Sequence, residues 1–322
     1  MKFRTEIEPK RWSNPIEYSH KILCLGSCFA TNIGEELLKR KFRVTISPTG
    51  ILFNPASIAH ALRQMTTAKA PDIESLLEVE DRYLHYDFHS SITGSTPQEA
   101  ISTMHEALQR GYEALQHADL TIVTLGTAWV YRLRESGEVV ANCHKQPHQL
   151  FSRDLLTTDQ CIEYLEEIIS LVPGRILLTV SPVRHIGEGL EDNSLSKAIL
   201  RVAIDAVCRR HEVRVAYFPS YEILIDDLRD YRFYAEDLVH PSRQAVEYIT
   251  EQFLDAALSL SSKSLMPKVE SIVRALNHRP NNPRSEAYRK FCEAQLRAIS
   301  EIEGVDLSEE RASFEQLLQI NL

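Results

Sequence analysis

Short apolar runs that alternate with helix-period segments constrain the fold of this chain more than any other feature. The runs cover residues 22–25, 42–46, 120–125, 176–180 and 213–218. Each has the length of a strand, and unbroken apolar runs are typical of strands buried on both faces of a parallel sheet. Helical periodicity lies between and after them, at residues 30–41, 97–117, 158–171, 193–210 and 241–258. This order predicts a three-layer α/β/α sandwich with right-handed crossovers.

Two segments depart from this alternation. Residues 129–142 contain two strand-like arms around a Ser136-Gly137 turn, which predicts an inserted β-hairpin that either walls an active site or forms a plain sheet edge. From residue 261 a serine-rich break precedes charged helical stretches at 286–302 and 308–320. We therefore expect a main domain over residues 1–260 and a helical C-terminal extension over 261–322, which packs on the core or joins two copies of the chain.

Composition restricts the class of protein and its partners. Of the 322 residues, 43% are apolar and 25% are charged, which is typical of a globular protein. The net charge of −9 disfavours nucleic acid and anionic membranes as partners. The six cysteines form no Cys-x-x-Cys pair, and the chain begins with no apolar signal segment, so we expect free thiols and a cytoplasmic location.

A glycine–serine pair follows the first apolar run, directly before a predicted helix. Gly26 permits a tight turn, and the turn leaves Ser27 at the carboxyl end of the strand, where α/β folds of this kind expose a nucleophile. The backbone N–H of Ser27 is also a candidate oxyanion donor. A serine in this position also serves as an ordinary helix cap.

An Asp-x-x-His motif near the end of the α/β region supplies the partners that a serine nucleophile needs. Asp237 and His240 lie three residues apart, just before a predicted helix. The imidazole takes the proton of the nucleophile, and the carboxylate fixes the imidazole tautomer. The alternative is that Asp237 caps the next turn and His240 is a surface residue.

Together these motifs resemble the SGNH/GDSL-type serine hydrolases, and Gly-Ser-Cys-Phe-Ala at 26–30 spells the signature of the GSCFA family within that group. The similarity extends from about Leu23 to Ser242. It covers residues 32–34, 50–55, 126–131, 141–145, 181–185, 217–222 and 229–234. The resemblance implies a flavodoxin-like parallel sheet, a Ser27–His240–Asp237 site and action on an ester, with no metal or organic cofactor.

The resemblance also implies oxyanion donors beyond the nucleophile. In the wider group a glycine after the second strand and a Gly-x-Asn-Asp motif after the third supply them. Gly50 matches the first by position, whereas the second aligns with Gly126 and Thr127, and the asparagine is missing. This departure calls for a replacement donor.

Three residues are candidates for that donor: Asn54, Thr127 and Asn142. We favour Asn54, because it follows Gly50 in the same short loop and an amide donates without titrating. Its alternative role is to start a turn into the helix near Ser57.

Five further polar residues are candidates for the substrate cleft: Asn142, His144, Lys145, Arg184 and His185. A cationic lining suits an acidic or phosphorylated substrate, although structural polar residues would give the same pattern. His144 and His148 have the spacing of a metal pair on a helix, but the intervening Pro147 argues against a helix and therefore against a metal site.

Cys28 is a rival nucleophile, because a thiol at a helix N-terminus can ionise readily. Its side chain points about 100° from that of Ser27 on a helix, and we expect core packing for it. The expected activity is removal of a short acyl group, such as acetyl, from a carbohydrate or other small ester through an acyl-serine. Acyl transfer by the same triad and a binding module without turnover stay open as alternatives.

Overall fold

The computed structural model describes residues 4–187, 189–278, 280, 282 and 284–320. The chain divides into two compact units. The first consists of Met1–Pro9, Lys21–Gly34 and Val44–Phe253, and the second of Lys10–His20, Glu35–Arg43 and Leu254–Leu322.

The strands form three sheets. In chain order they are β1 (Lys21–Gly26), β2 (Arg43–Ile46), β3 (Leu77–Val79), β4 (Arg82–Leu84), β5 (Leu120–Leu125), β6 (Trp129–Leu133), β7 (Val139–Val140), β8 (Phe151–Leu155), β9 (Arg175–Val180) and β10 (Val215–Tyr217). The central parallel sheet has the order β10-β9-β5-β1-β2, and smaller sheets have the orders β3-β4 and β7-β6-β8.

Helices flank the central sheet, and further helices form the second unit. They are α1 (Cys28–Lys39), α2 (Pro55–Thr67), α3 (Pro97–His117), α4 (Thr158–Leu171), α5 (Leu190–Arg210), α6 (Ser220–Glu222), α7 (Arg243–Ala257), α8 (Leu260–Leu276), α9 (Glu286–Ser300) and α10 (Ser308–Ile320). The predicted α/β sandwich is confirmed, and α3 and α4 have the predicted bounds. None of the helices in the described part of the chain is long and apolar enough to span a membrane.

The order of the central sheet determines where a ligand site can form. Numbered among themselves in chain order, its strands run 2-1-3-4-5, the flavodoxin-like doubly wound order. Such sheets bind ligands outside the strand carboxyl ends, at the point where the winding direction reverses. Here that point lies between β1 and β5, and the register pairs Gly26 of β1 with Thr124 of β5.

The core explains why the apolar runs become strands. Every residue of β5 is buried, as are Ile22–Leu25 of β1, so both faces of these strands are covered. Burying one such side chain stabilises the fold by about 1.5–3 kcal/mol. The exposed first residue, Lys21, marks the opposite, amino-terminal edge of the sheet.

The predicted hairpin is present and is larger than predicted. Strands β6 and β7 pair antiparallel, with Tyr131 opposite Val140. Strand β8 pairs with the other edge of β6, and the sequence analysis did not foresee it because alternation in Phe151–Leu155 is weak.

In the second unit, helix α8 corrects the prediction of a serine-rich break. Ser259 is its N-cap, and its Oγ accepts a hydrogen bond of 3.0 Å from the Ser262 N–H. Serine is a favoured N-cap, so the serine cluster starts a helix rather than interrupting the chain. The helical extension predicted at 286–302 and 308–320 is present as α9 and α10.

Candidate active site

The Gly26 turn (residues 26–28) links β1 to α1. Gly26 has a φ of +121°, and a Cβ placed there would lie 2.1 Å from the carbonyl oxygen of Thr124. No other residue fits without moving the neighbouring strand. The Ser27 N–H donates to the same Thr124 oxygen at 3.0 Å, which fixes the turn to β5.

The two side chains on this turn differ in exposure. Ser27 is 0% exposed, and its Oγ accepts a hydrogen bond of 3.3 Å from the Phe29 N–H, so it acts as a cap at the start of α1. Cys28 is only partly buried. Among the described residues, no hydrogen bond joins Ser27 Oγ to His240.

The His240 loop (residues 235–240) joins the predicted carboxylate and imidazole. His240 Nδ1 lies 2.7 Å from Asp237 Oδ2, while Asp237 Oδ1 accepts the N–H groups of Val239 and His240, each at 2.9 Å. These bonds, led by the His240 N–H, lower the Asp237 pKa to about 2. An ionised carboxylate only accepts, so the Nδ1 proton is assigned to this bond, and Nε2 is then able to take a proton.

Arg184 holds this loop from outside. Its backbone N–H donates to the Val239 carbonyl at 3.1 Å, and its Nη1 donates to the Leu238 carbonyl at 3.4 Å. The guanidinium carbon lies 3.9 Å from the ring centre of Tyr234, a cation–π contact. Arg184 therefore positions the loop in addition to any contact with substrate.

A buried lysine that was not among the predicted site residues lies against the carboxyl ends of β5 and β9. Lys197 of α5 is 2% exposed, and its Nζ donates to the carbonyls of Gly126 at 2.6 Å and Ser181 at 2.8 Å. Burial lowers the Lys197 pKa to about 7. The signal was the spacing of Lys197, Leu200 and Ile204, which places the lysine on the apolar face of a helix.

Electrostatics connect Cys28 with both regions of the site. Burial raises the Cys28 pKa; the Lys197 charge lowers it and the Asp237 charge raises it. The thiol is therefore close enough to Asp237 and Lys197 for both charges to affect it.

The backbone amides predicted as oxyanion donors already have partners. The Gly50 N–H donates to the Ser47 carbonyl at 2.8 Å, and the N–H groups of Gly126 and Thr127 donate to the Phe53 carbonyl at 2.7 and 2.9 Å. With the Ser27 N–H also engaged, each of these amides would have to exchange its partner to hold an oxyanion.

The side chain of Asn54 has a donor group, the amide Nδ2, besides the oxygen that binds the backbone. Its Oδ1 accepts the Ser57 N–H at 2.8 Å and so caps α2, and the amide Nδ2 takes no part in this cap. The loop that carries Asn54 is tied to the Gly26 turn, because the Leu52 N–H donates to the Gly26 carbonyl at 2.8 Å. Asn54 thus caps α2 and is also a candidate side-chain donor, in a loop that is hydrogen-bonded to the Gly26 turn.

A cleft of about 530 Å³ lies beside this region. It is lined by Phe53, Asn54, Thr127, Trp129, Tyr131, Val140, Ala141, Asn142, Cys143, Lys145, Gln146, His148 and His185. The described lining contains Asn54, Thr127, Asn142, Lys145 and His185 from the predicted set but not Ser27, Asp237 or His240.

Three predicted polar residues brace the cleft wall. Thr127 Oγ1 lies 2.9 Å from Ser196 Oγ and accepts the Trp129 N–H at 3.1 Å. Asn142 Oδ1 accepts the His144 N–H at 2.8 Å. His144 is buried, with Nε2 2.8 Å from the His85 carbonyl, and burial lowers its pKa.

His185 belongs to the cleft lining and also lies close to Gly126. Its ring packs edge-on against Phe53, with 5.6 Å between ring centres, and its Nε2 is buried with no hydrogen-bond partner in the described structure. This nitrogen lies 3.1 Å from where a Cβ on Gly126 would be. Burial, then the charges of Lys197 and His240, lower its pKa to about 4, so the imidazole is neutral at neutral pH.

Metal ligands do not come together in this region. Within the described residues, no group of three or more His, Cys, Asp or Glu side chains could hold a metal ion. His144 is held by its own hydrogen bonds, whereas His148 lies in the cleft lining at the start of a short 3₁₀ turn.

Two family models match parts of the chain. A comparison with curated proteins gives no match. A family model described as "GSCFA domain protein, C-terminal domain" matches residues 269–320. The model of the GSCFA family matches residues 21–253, which is more than half of the 322 residues, and the chain therefore belongs to the GSCFA family.

Proposed function

We propose that this protein is an SGNH-type acyl-ester hydrolase that removes a short acyl group through a covalent acyl-enzyme. The observation that carries the proposal is the Asp237–His240 pair, with 2.7 Å between carboxylate and imidazole. The His240 loop is joined to the residue stretch after β9, because the Arg184 N–H donates to the Val239 carbonyl at 3.1 Å, and the carboxyl ends of the strands are where a doubly wound sheet binds ligands. A carboxylate-oriented imidazole next to a strand–helix turn is the arrangement that activates a nucleophile.

His240 is the general base and then the general acid. Its Nε2 takes the proton of the nucleophile as the nucleophile attacks the ester carbonyl, and it returns that proton to the departing alcohol. Asp237 stabilises the imidazolium that forms between these steps. Water, activated by the same imidazole, then hydrolyses the acyl-enzyme.

The nucleophile belongs to the Gly26 turn, and accessibility favours Cys28 over Ser27. Ser27 has no exposed surface, so a substrate would reach its hydroxyl only after the turn rearranged. Cys28 is partly exposed and lies near both Asp237 and Lys197. Its raised pKa keeps the thiol protonated at rest, which is why it needs His240 as a base.

Asn54 is the favoured oxyanion donor. Its Nδ2 group is not consumed by the helix cap, whereas the candidate backbone amides already donate to carbonyls. One such donor typically contributes about 2.7–4 kcal/mol to transition-state stabilisation.

Two labels and four substitutions test the proposal. The purified protein should hydrolyse p-nitrophenyl acetate, and Cys28→Ala should lower kcat/KM by about 10³-fold or more, as loss of a nucleophile does. Ser27→Ala should retain activity within about tenfold. Iodoacetamide should modify Cys28 and block turnover, and a fluorophosphonate should not label Ser27.

Matched controls separate chemistry from background. Cys208→Ala removes another partly buried thiol and should leave the rate unchanged, whereas Cys28→Ser should retain a small residual rate. If Ser27→Ala is inactive and Cys28→Ala is active, the nucleophile is Ser27. If the wild-type protein neither turns over the ester nor forms an acyl adduct, the hydrolase proposal fails.

A binding module of the same fold is the second candidate. It is favoured by the buried Ser27 and by the engaged backbone amides. Such a module would bind an ester without cleaving it, so the same assay distinguishes the two.

A further inference from the structure

The cleft beside the Gly26 turn is larger than a short acyl group requires. Its volume of about 530 Å³ lies within the range of small-molecule sites, roughly 300–1,000 Å³. An acetyl group would fill only a small part of it. If the protein cleaves short acyl esters, as proposed above, the rest of the cleft is available to the alcohol part of the substrate.

The lining combines aromatic faces with hydrogen-bonding groups. Phe53, Trp129 and Tyr131 provide the faces, and Asn54 and Gln146 provide amides. Aromatic surfaces pack against the faces of rings, and side-chain amides both donate to and accept from hydroxyl groups. This combination suits a hydroxylated ring.

Two lining residues carry buried nitrogens without partners in the described structure: Trp129 Nε1 and His185 Nε2. Most buried polar atoms are hydrogen-bonded, and an unpaired one costs about 1–3 kcal/mol. Both atoms have almost no accessible surface, so only a movement of these side chains would bring them to a ligand in the cleft.

The charge of the lining is opposite to that of the protein. Lys145 lies in it, and the described lining contains no Asp or Glu, although the chain has a net charge of −9. A lone cation in such a cleft attracts an anionic group.

The backbone at His144 and Lys145 forms a strained turn that His144 braces. These two residues have φ values of +48° and +57°, a conformation that costs non-glycine residues about 1–2 kcal/mol each. The His144 N–H donates to Asn142 Oδ1, its Nε2 lies 2.8 Å from the His85 carbonyl oxygen and its Nδ1 lies 3.2 Å from Ser90 Oγ, and these contacts stabilise the turn. Backbone strain that is stabilised in this way is typical of functional sites.

We propose that this cleft binds the alcohol part of the ester substrate, and that this part is a hydroxylated ring, such as a hexose, carrying a carboxylate or a phosphate. Lys145 contacts the anionic group, and the side-chain amides of the lining contact the hydroxyls. This inference rests on the proposed hydrolase function for its substrate, but its ligand can be tested without any reaction.

Tryptophan fluorescence reports directly on the cleft, because the chain contains only Trp12 and Trp129. In the full-length Trp12→Phe variant, all tryptophan emission comes from Trp129, a lining residue. The probes are methyl glucoside, methyl glucuronide and methyl glucoside 6-phosphate. None of them contains a carboxylic ester or absorbs at the excitation wavelength.

At least one anionic probe should shift the emission saturably and bind at least about threefold more tightly than methyl glucoside, as expected for one partly exposed ion pair. Lys145→Gln should reduce the affinity for that anion to the level of the neutral sugar. Lys21→Gln, which makes the same charge change at the opposite edge of the sheet, should not. The tighter anion identifies a carboxylate or a phosphate ligand.

Equal affinity for the three sugars, no response to any of them, or an unchanged affinity in Lys145→Gln would overturn the proposal. An unchanged unfolding temperature of Lys145→Gln would show that its loss of affinity does not come from a loss of folded protein. Saturable sugar binding without p-nitrophenyl acetate hydrolysis would reject the hydrolase and keep the cleft assignment. Hydrolysis without an anion preference would reject the cleft assignment and keep the hydrolase.

Discussion

The Gly26 turn and the His240 loop, which carry the proposed chemistry, are held in opposite ways. The turn is largely buried, and it is tied to β5, a strand far from it in the sequence, since the Ser27 N–H donates to the Thr124 carbonyl. The loop is exposed: about half of the His240 and Asp237 side chains face solvent. Most of its hydrogen bonds stay within a few residues, such as those of Asp237 with Val239 and His240. Changes of the Gly26 backbone should therefore affect folding, whereas changes of the loop side chains should affect chemistry.

The largest effect is expected from Asp237→Asn in the loop. Neutral asparagine cannot stabilise an imidazolium and can favour the wrong tautomer, and loss of this role costs roughly 10⁴-fold in kcat in a serine-protease triad. We expect a loss of similar size in p-nitrophenyl acetate hydrolysis, with little change in the free energy of unfolding.

Asp230→Asn is the matched control for this change, because Asp230 caps the neighbouring 3₁₀ turn by accepting the Arg232 N–H. It should retain most of the activity. If Asp237→Asn keeps more than about a tenth of the wild-type rate, Asp237 is only a turn cap.

The next largest effect is expected from Gly26→Ala in the turn, and it should appear as instability. The added Cβ would lie 2.1 Å from the Thr124 oxygen at a φ of +121°. Steric overpacking and backbone strain together should cost about 3–5 kcal/mol, measured by urea unfolding.

Gly187→Ala serves as the control, because its Cβ would meet nothing within 4 Å. It should change the free energy of unfolding by less than about 0.5 kcal/mol. Equal stability of the two variants would show that the turn is not tied to the sheet as described.

The same contrast explains what the sequence could predict. Strands β1, β5 and β9 follow from continuous apolar runs, and the bond between Asp237 and His240 follows from their spacing, because each signal lies within a few residues. The serine cluster from residue 261 predicts a break, whereas the structure starts α8 there with Ser259 as its cap, since a serine cluster looks alike in a loop and at a helix start.

Features that depend on long-range packing could not be predicted. No local pattern brings Lys197 to the carbonyls of Gly126 and Ser181, or places His185 over Gly126. Nor does the Gly-Ser-Cys order reveal which of Ser27 and Cys28 the sheet buries. These outcomes depend on which strands become neighbours, and that is a property of the whole fold.

A smaller effect on the turn side is expected from Asn54→Ser. Serine is about as good an N-cap as asparagine, so α2 and the unfolding temperature should be retained. The substitution removes the amide Nδ2 donor, and kcat should fall about 10²-fold if that donor holds the oxyanion. Asn54→Ala, which loses both the cap and the donor, should lower stability as well. An unchanged kcat in Asn54→Ser would leave Asn54 with the capping role alone.

The smallest effect is on stability, and it is expected from the charge of Lys197 next to the Gly126 and Ser181 carbonyls. Its pKa in the folded protein is about 7, below the ordinary 10.5, so between these pH values the unfolded chain holds a proton that the folded chain has lost. Stability therefore gains from this group as pH rises, by about 1 kcal/mol per pH unit between pH 7.5 and 9. Lys197→Met should remove this gain, and urea unfolding at pH 7.5, 8.25 and 9 should show a stability difference between the two proteins that changes with pH.

The difference in stability between the wild type and Lys197→Met isolates the contribution of Lys197, because thiols and other groups titrate in both proteins. A neutral lysine amine still has two N–H donors for the carbonyls of Gly126 and Ser181, so its deprotonation need not break either bond. A difference that stays constant with pH would mean that Lys197 remains charged in the folded protein, and that the carbonyls of Gly126 and Ser181 bind a buried ammonium rather than a neutral amine.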